Sequence, residues 1–287
     1  VSSAVITRVR RPRLRNVFYK WFWDTYDNLG KVILGNVVWF ILCLPTFFGL
    51  FGLLFQPSGK QLNLFPYLML LIPSLLLSAP ITAGLFHLTY IFVQEREAEF
   101  KELFIGFKKY FKKSVVIALI LAAIIGLLVV NIQFYATRAP ALKFIGVIFA
   151  GLGLWGMVFI GLLLVYLFPI LVQQDGGLGK IFKRAALLVL DNIGYTLVVA
   201  ILAMVVSLGL TIFTVGLVFL MMSLISILLN NALTEVLKKY EKREVKKEEK
   251  PAKPTSWKEI REKEEEEVEE EKPRRRGWRD IFRPWEM

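Results

Sequence analysis

A helix needs roughly 20 mainly apolar residues to cross the hydrocarbon core of a bilayer, and this chain supplies that length several times over. The runs are 32–55, 65–93, 114–136, 144–173 and 193–234. The last is too long for one crossing, and Gly209 and Gly216 bracket a turn that divides it into 194–212 and 215–233. In lipid every backbone N–H and C=O must be satisfied internally, so such runs are read as helices. The expectation is an all-α, polytopic membrane helix bundle of about six transmembrane helices. Five remain if 193–234 crosses only once.

Charge is placed as unevenly as hydropathy. Residues 1–234 hold 19 of the 36 Lys and Arg but only 8 of the 24 Asp and Glu. Of those cations, all but Lys60, Arg138 and Lys143 lie in residues 1–31, 94–113 and 174–192, together with all eight carboxylates. The Lys/Arg bias places that side in the cytoplasm, facing an anionic inner leaflet, and six crossings return the tail to it. The basic balance is thus read as orientation, with no nucleic-acid partner. The basic N-terminal stretch 1–16 is followed by a long run with no small-residue cleavage site, so the first run is expected to be retained as a helix.

Between the runs lie amphipathic segments. In 99–113, Phe100, Leu103, Phe104, Phe107 and Phe111 fall on one helical face and Lys101, Lys108, Lys109 and Lys112 on the other. In 178–190 the apolar face is Leu178, Ile181, Phe182, Ala185 and Val189, opposite Lys180, Lys183 and Arg184. In 17–30, Phe18, Trp21, Phe22 and Leu29 are expected to face inward. All three read as cytoplasmic interfacial helices. One such helix followed by two spans occurs three times. Asp27-Asn28-Leu29-Gly30 matches Asp191-Asn192-Ile193-Gly194, and Val93-Gln94 matches Val172-Gln173. This predicts a three-fold parallel repeat of helix hairpins about an axis near the membrane normal.

The membrane domain is thus 17–234, and 235–287 is a charged cytoplasmic tail. The Glu-rich 257–272 favours a solvated helix or an unfolded chain. Its last residues place Trp278, Ile281, Phe282 and Trp285 at i, i+3, i+4 and i+7 among arginines such as Arg279. A basic amphipathic peptide of this kind suits an anionic membrane or a partner's groove equally.

Few side chains offer chemistry. The one histidine, His87, stands near the cytoplasmic end of the second run, where a backbone or interfacial contact is the simpler role. The lone Cys43 forms no intramolecular disulfide. No carboxylate lies within a span, so a coupling group for an ion-driven carrier is missing, and no metal or cofactor motif is present. Gly151-Leu152-Gly153-Leu154-Trp155-Gly156 matches the dinucleotide fingerprint in letters only, since it follows no strand and lies inside an apolar run. The polar residues of the spans (Asn36, Ser74, Ser78, Thr82, Asn131, Gln133, Ser207, Thr211, Asn230, Asn231) are expected to hydrogen-bond between helices.

Several short motifs occur in a telling order. Asn36, Trp39 and Leu44-Pro45 in the first run, Pro80 through Phe86 with Thr82 and Gly84 in the second, the Phe/Lys spacing of 100–113, and Tyr166-Leu167-Phe168-Pro169 in the fourth resemble the YesL-like family, a domain of unknown function, over residues 17–234. His87 stands where that family has an aromatic residue, and the long tail departs from its pattern. The resemblance implies a bacterial cytoplasmic (inner) membrane protein of unknown activity, associated with carbohydrate uptake and breakdown. The expectation is a non-enzymatic accessory component of solute uptake, working with transporter subunits. One alternative is a scaffold or regulator that recruits a cytosolic protein through its tail; another is an uncoupled channel or facilitator. The sequence leaves homo-oligomerisation open.

Overall fold

The computed structural model describes residues 12–54, 65–94, 98–174 and 176–248. They are helical: α1 (Leu14–Asp27), α2 (Leu29–Leu54), α3 (Phe65–Val93), α4 (Glu102–Gln174), α5 (Leu178–Asp191), α6 (Ile193–Ile212), α7 (Thr214–Phe219) and α8 (Met221–Glu248). Residues 12–235 form one compact unit and 1–11 with 236–287 another. The described part of the second is the charged end of α8, and the Trp278, Arg279, Phe282 and Trp285 peptide lies outside the described residues.

Among the described residues, five helical segments are long and apolar enough to cross a membrane: Leu29–Gly49, Leu76–Val93, Glu102–Thr137, Phe144–Gln174 and Ile193–Ile212. Two of them are arms of α4, folded side by side. Tyr135 stacks on Phe149, Gly153 faces Asn131 and Ile132, Gly156 faces Leu128, and the Tyr110 hydroxyl donates to the Val172 carbonyl at 3.2 Å. The paired numbers fall on one arm as they rise on the other, so the arms are antiparallel.

Asparagine makes the sharp joints. α1 and α5 are each 14 residues long, end in Asp, and pass through one Asn into a long apolar helix. Asn28 Nδ2 donates to the Asp24 carbonyl at 3.1 Å and Asn192 Nδ2 to the Leu188 carbonyl at 3.3 Å. Each Asn carbonyl then accepts the first bond of the next helix, from Val32 N and Thr196 N, both at 2.9 Å. Asn favours such terminal positions because its amide competes with the helix backbone. The middle unit of the expected repeat lacks this joint. Its interfacial segment and span, separated at 113/114 in the sequence reading, are one continuous helix from Glu102. Lys112-Lys113-Ser114 offers no Gly, Pro or Asn to interrupt it.

The amphipathic faces also differ from expectation. In α1, Val17 and Trp23 are buried whereas Phe18 and Phe22 are exposed, as is Leu29 at the start of α2. The reason is α8: Trp21 Nε1 donates to the Leu224 carbonyl at 2.9 Å and Asp24 accepts from Asn231 Nδ2 at 2.8 Å, which turns the aromatic ridge outward. At the start of α4 the buried stripe is Leu103, Gly106, Tyr110, Ser114 and Ile117, while Phe104 and Phe111 are exposed. Here α3 comes closest. A Cβ on Gly84 would lie 2.4 Å from the Leu103 carbonyl oxygen and 3.0 Å from Phe107 N. In α5, Ile181, Ala185, Leu188 and Val189 are buried and Lys180, Lys183 and Arg184 exposed.

The largest departure is the stretch 215–233, expected as a sixth span. It is two helices, α7 and α8, broken at Leu220 (φ −135°, ψ −31°). Gly209 is inside α6, and the turn before α7 falls at Phe213. α8 does not run alongside its neighbours. Trp39 pairs with Thr82, and Gly35 faces Leu85, so α2 and α3 are antiparallel with Asn36 opposite about residue 85. Ser223 meets Asn36 and Val32; Asn230, seven residues later, meets Phe86 and Thr89. Both residues touch the same level of the α2–α3 pair. Seven helical residues cover about 10 Å, close to the spacing of two packed helix axes. α8 therefore lies across the pair. Residues 227–233 are all buried, and no lipid-facing side is left to require an apolar sequence.

Gly84 has no room for a side chain because backbone, not a yielding rotamer, stands opposite it. Gly84→Ala is expected to cost about 1–3 kcal/mol, read as a lowered thermal midpoint of the detergent-purified protein. Gly30→Ala, where no atom lies within 4 Å, serves as the tolerated control.

Candidate functional site

Polar side chains inside the bundle converge on α8. The most demanding position is the break before it. Asn36, fully buried on α2, donates from Nδ2 to the Leu217 and Val218 carbonyls at 2.9 and 2.8 Å. Its Oδ1 accepts from Met222 N and Ser223 N at 2.7 and 3.0 Å. One amide thus closes the orphan carbonyls at the end of α7 and the orphan N–H groups at the start of α8, which a continuous helix would pair for itself. Ser223 Oγ adds a bond to the Val32 carbonyl at 2.8 Å.

A second node lies two turns along α8. Asn230 Nδ2 donates to the Phe86 carbonyl and to Thr89 Oγ1, both at 3.0 Å. Gln173 Nε2 from the second arm of α4 reaches Asn230 Oδ1 at 3.1 Å and its carbonyl at 3.3 Å. Next to it, Asn231 holds Asp24 of α1, and the Tyr195 hydroxyl of α6 donates to the Ala232 carbonyl at 3.2 Å. α8 is thereby hydrogen-bonded to α1, α2, α3, α4 and α6.

The other motif residues are placed as follows. Trp39 Nε1 donates to Thr82 Oγ1 at 2.9 Å, and Thr82 donates in turn to the Ser78 carbonyl at 2.7 Å. Pro45, Pro80 and Pro169 lie within α2, α3 and α4; Pro80 and Pro169 are buried and Pro45 half-buried. Gly84 sits at the α3–α4 contact. Thus Asn36, Trp39, Thr82 and Gly84 share the α2–α3–α4–α8 core, while Pro169 stands apart on the second arm of α4. Of the remaining polar span residues, Ser207 bonds within its own helix, to the Ala203 carbonyl, and Thr211 donates to the Ser207 carbonyl and across to Met221 Sδ of α8 at 3.6 Å. Asn131 Oδ1 is buried without a hydrogen-bond partner.

His87 packs its Cβ over Gly106, with its ring edge-on to Tyr110 at 5.7 Å between centroids. Its Nε2 is 3.5 Å from Glu102 Oε2, and its Nδ1 is buried with no partner. It fills the space opposite a glycine. Cys43 is a buried free thiol. Among the described residues no group of three or more His, Cys, Asp or Glu is arranged to hold a metal. A cavity of about 390 Å³ opens between the arms of α4, lined by Leu127, Leu128, Asn131, Phe149, Leu152 and Gly153.

Sequence reasoning picked out Asn36, Trp39, Thr82, Asn230 and Asn231 but passed over Ser223, Thr89 and Asp24, and it gave Trp21 and Gln173 no hydrogen-bonding part. The spacing of Ser223, Ser226 and Asn230, at i, i+3 and i+7, was the available signal for a polar stripe on one buried helix face.

No protein-family model matches the chain, and no curated protein or solved structure is significantly similar to it. The likeness to YesL-like proteins therefore rests on the quoted motifs alone.

The Asn36 clamp and the Trp39–Thr82 bond are expected to differ in consequence. Asn36→Leu leaves four backbone groups unpaired at a helix break and should cost about 4 kcal/mol or more, since each buried unsatisfied group costs about 1–3. Trp39→Phe removes one bond and should cost about 1 kcal/mol. Thermal unfolding in mild detergent ranks them; equal losses would contradict the clamp.

Proposed function

We propose that this chain is an integral membrane protein, without catalytic activity of its own, that assists solute uptake, carbohydrates included, by associating with transporter subunits in the bilayer. The supporting observation is the uneven cover of its membrane-length helices. The most apolar stretch of Leu76–Val93 is 67% buried, against 17% for Glu102–Thr137 and 11% for Ile193–Ile212. Lipid suits most of those open faces, but Gln133 and Thr211 are exposed on them. A side-chain amide at that depth is better satisfied by another helix than by acyl chains. The nodes on α8, meanwhile, employ its polar groups internally. The carbohydrate element of the proposal comes from the YesL-like motifs.

The orientation proposed with it puts α1, α5 and both chain ends on the cytoplasmic side of a bacterial inner membrane, with α7 and the crosswise α8 bringing the chain back to that side. In a Cys43→Ser background, Lys60→Cys and Arg138→Cys should react with a membrane-impermeant maleimide on intact cells, and Lys180→Cys only after permeabilisation. The reverse pattern would overturn the orientation.

A second reading, a scaffold or regulator acting through its tail, is favoured by α8 itself, since the helix bonded to five others continues through the charged 236–248. An uncoupled facilitator ranks below both, because most of the polar side chains it would use are hydrogen-bonded within the bundle. Tagged full-length protein, purified from its native membrane in mild detergent, should bring down a transporter subunit, and deletion should slow growth on particular sugars. A cytosolic regulator as sole partner would move the conclusion to the scaffold. No partner and unchanged uptake across a broad sugar panel would overturn the accessory role.

A further inference from the structure

We infer that the groove between the two arms of α4 binds a neutral amphiphile, an apolar body carrying a hydroxyl, and holds it by a hydrogen bond to Asn131. The arms touch on either side of the groove. Toward the hairpin turn Tyr135 stacks on Phe149, and away from it Leu128 packs against Gly156. Between these contacts Gly153 stands opposite Asn131 and Ile132; a Cβ there would lie 2.8 Å from both Asn131 Oδ1 and Ile132 Cγ1. The cavity of about 390 Å³ lies at this level, and its volume is within the range of small-ligand sites. Leu127, Phe149 and Leu152 on its walls are exposed, so it opens sideways out of the hairpin. Asn131 is about 9 Å along the helix from Thr137, where the first apolar arm ends, so the opening faces the bilayer interior. The site is independent of the proposed part in solute uptake.

The amide selects the occupant. Asn131 Oδ1 is buried and, among the described residues, has no hydrogen-bond partner. In hydrocarbon such a group is costly until something bonds to it. Water does not suit the place: a buried water takes two to four polar partners, and Asn131 is the one polar side chain among the six residues that line the cavity. An acyl chain fills the space but leaves the amide unbonded. A phosphate headgroup meets no cation on the lining. A hydroxyl on an apolar body satisfies all of these conditions. The terminal torsion of an asparagine is soft, so a small rotation brings Oδ1 from Gly153 toward the groove, where the hydroxyl donates to it. The apolar body then lies against Leu127, Leu128, Leu152 and the Phe149 ring.

The test uses full-length protein in phosphatidylcholine vesicles and three diazirine-bearing probes of one chain length: tetradecanol, its methyl ether and tetradecane. After illumination, the modified peptides are mapped by mass spectrometry. The alcohol should label the groove segments 127–131 and 149–153 about fivefold more than the ether or the hydrocarbon, the factor expected of one hydrogen bond. Asn131→Leu should bring the alcohol down to the level of the other two. It should also keep the thermal midpoint at or above that of the wild type, because it removes an unbonded amide and little volume. Gln133→Leu, two residues on and so on the opposite face of the helix, should leave the preference intact. Equal labelling by the three probes in the wild type overturns the site without recourse to a variant, as does a preference that survives Asn131→Leu. A wild-type dimer that Asn131→Leu dissolves, with no probe entering the groove, would assign the amide to a second copy of the chain and would also overturn it.

Discussion

A helix that stops and restarts inside a membrane protein exposes carbonyls on one side of the break and N–H groups on the other, with no water to meet them. Here the break falls at Leu220, and a single side chain on another helix, Asn36, satisfies two carbonyls and two N–H groups around it. The rest of the bundle follows from that closure. Because α7 can end there, α8 can turn across the α2–α3 pair, and its polar stripe then meets α1, α3, α4 and α6 in turn. An amide suits this place better than a carboxylate or a hydroxyl: it offers two donors on one side and an acceptor on the other, without charge.

The same arrangement explains why polarity and burial run together. α3, crossed by α8, is the best covered of the long apolar helices, whereas the first arm of α4 and α6 are largely open. Close helix approach is confined to where glycine permits it: Gly84 against Leu103, Gly106 beneath His87, Gly153 against Asn131. His87, the most reactive residue type in the bundle, is thereby explained by shape.

Much of this was legible in the sequence. Runs of apolar residues fix helices in lipid with little ambiguity, and the Asp-Asn-x-Gly pairs marked two real joints because asparagine imposes local geometry whatever surrounds it. Asn36 and Thr82 stood out as polar residues in apolar surroundings, and Trp39 through the motif it shares with YesL-like proteins. What was not legible depended on partners. Periodicity shows that α1 and the start of α4 have an apolar face but not whether that face meets protein or lipid, and in both the aromatic ridge turned outward because hydrogen bonds or a glycine contact claimed another stripe. The last stretch misled for a related reason. Hydropathy assumes that a helix faces lipid, and α8, enclosed by its neighbours over residues 227–233, is released from that requirement.

The position of α8 near the end of the chain also bears on how the molecule is made. Insertion proceeds from the N-terminus, so α1 to α6 enter the membrane before the residues that will bond to them exist. Until α8 is synthesised, Asn36, the Thr89 hydroxyl and the Trp21 indole lack the partners they have in the finished bundle. Of the contacts that complete it, those to α1, α2 and α3 join residues about 140 to 220 positions apart. Assembly must therefore follow insertion as a separate, late step. A ribosome stalled before residue 221 would leave a membrane-integrated chain with its helices in place and its core unsealed, a natural client for membrane chaperones and quality-control proteases.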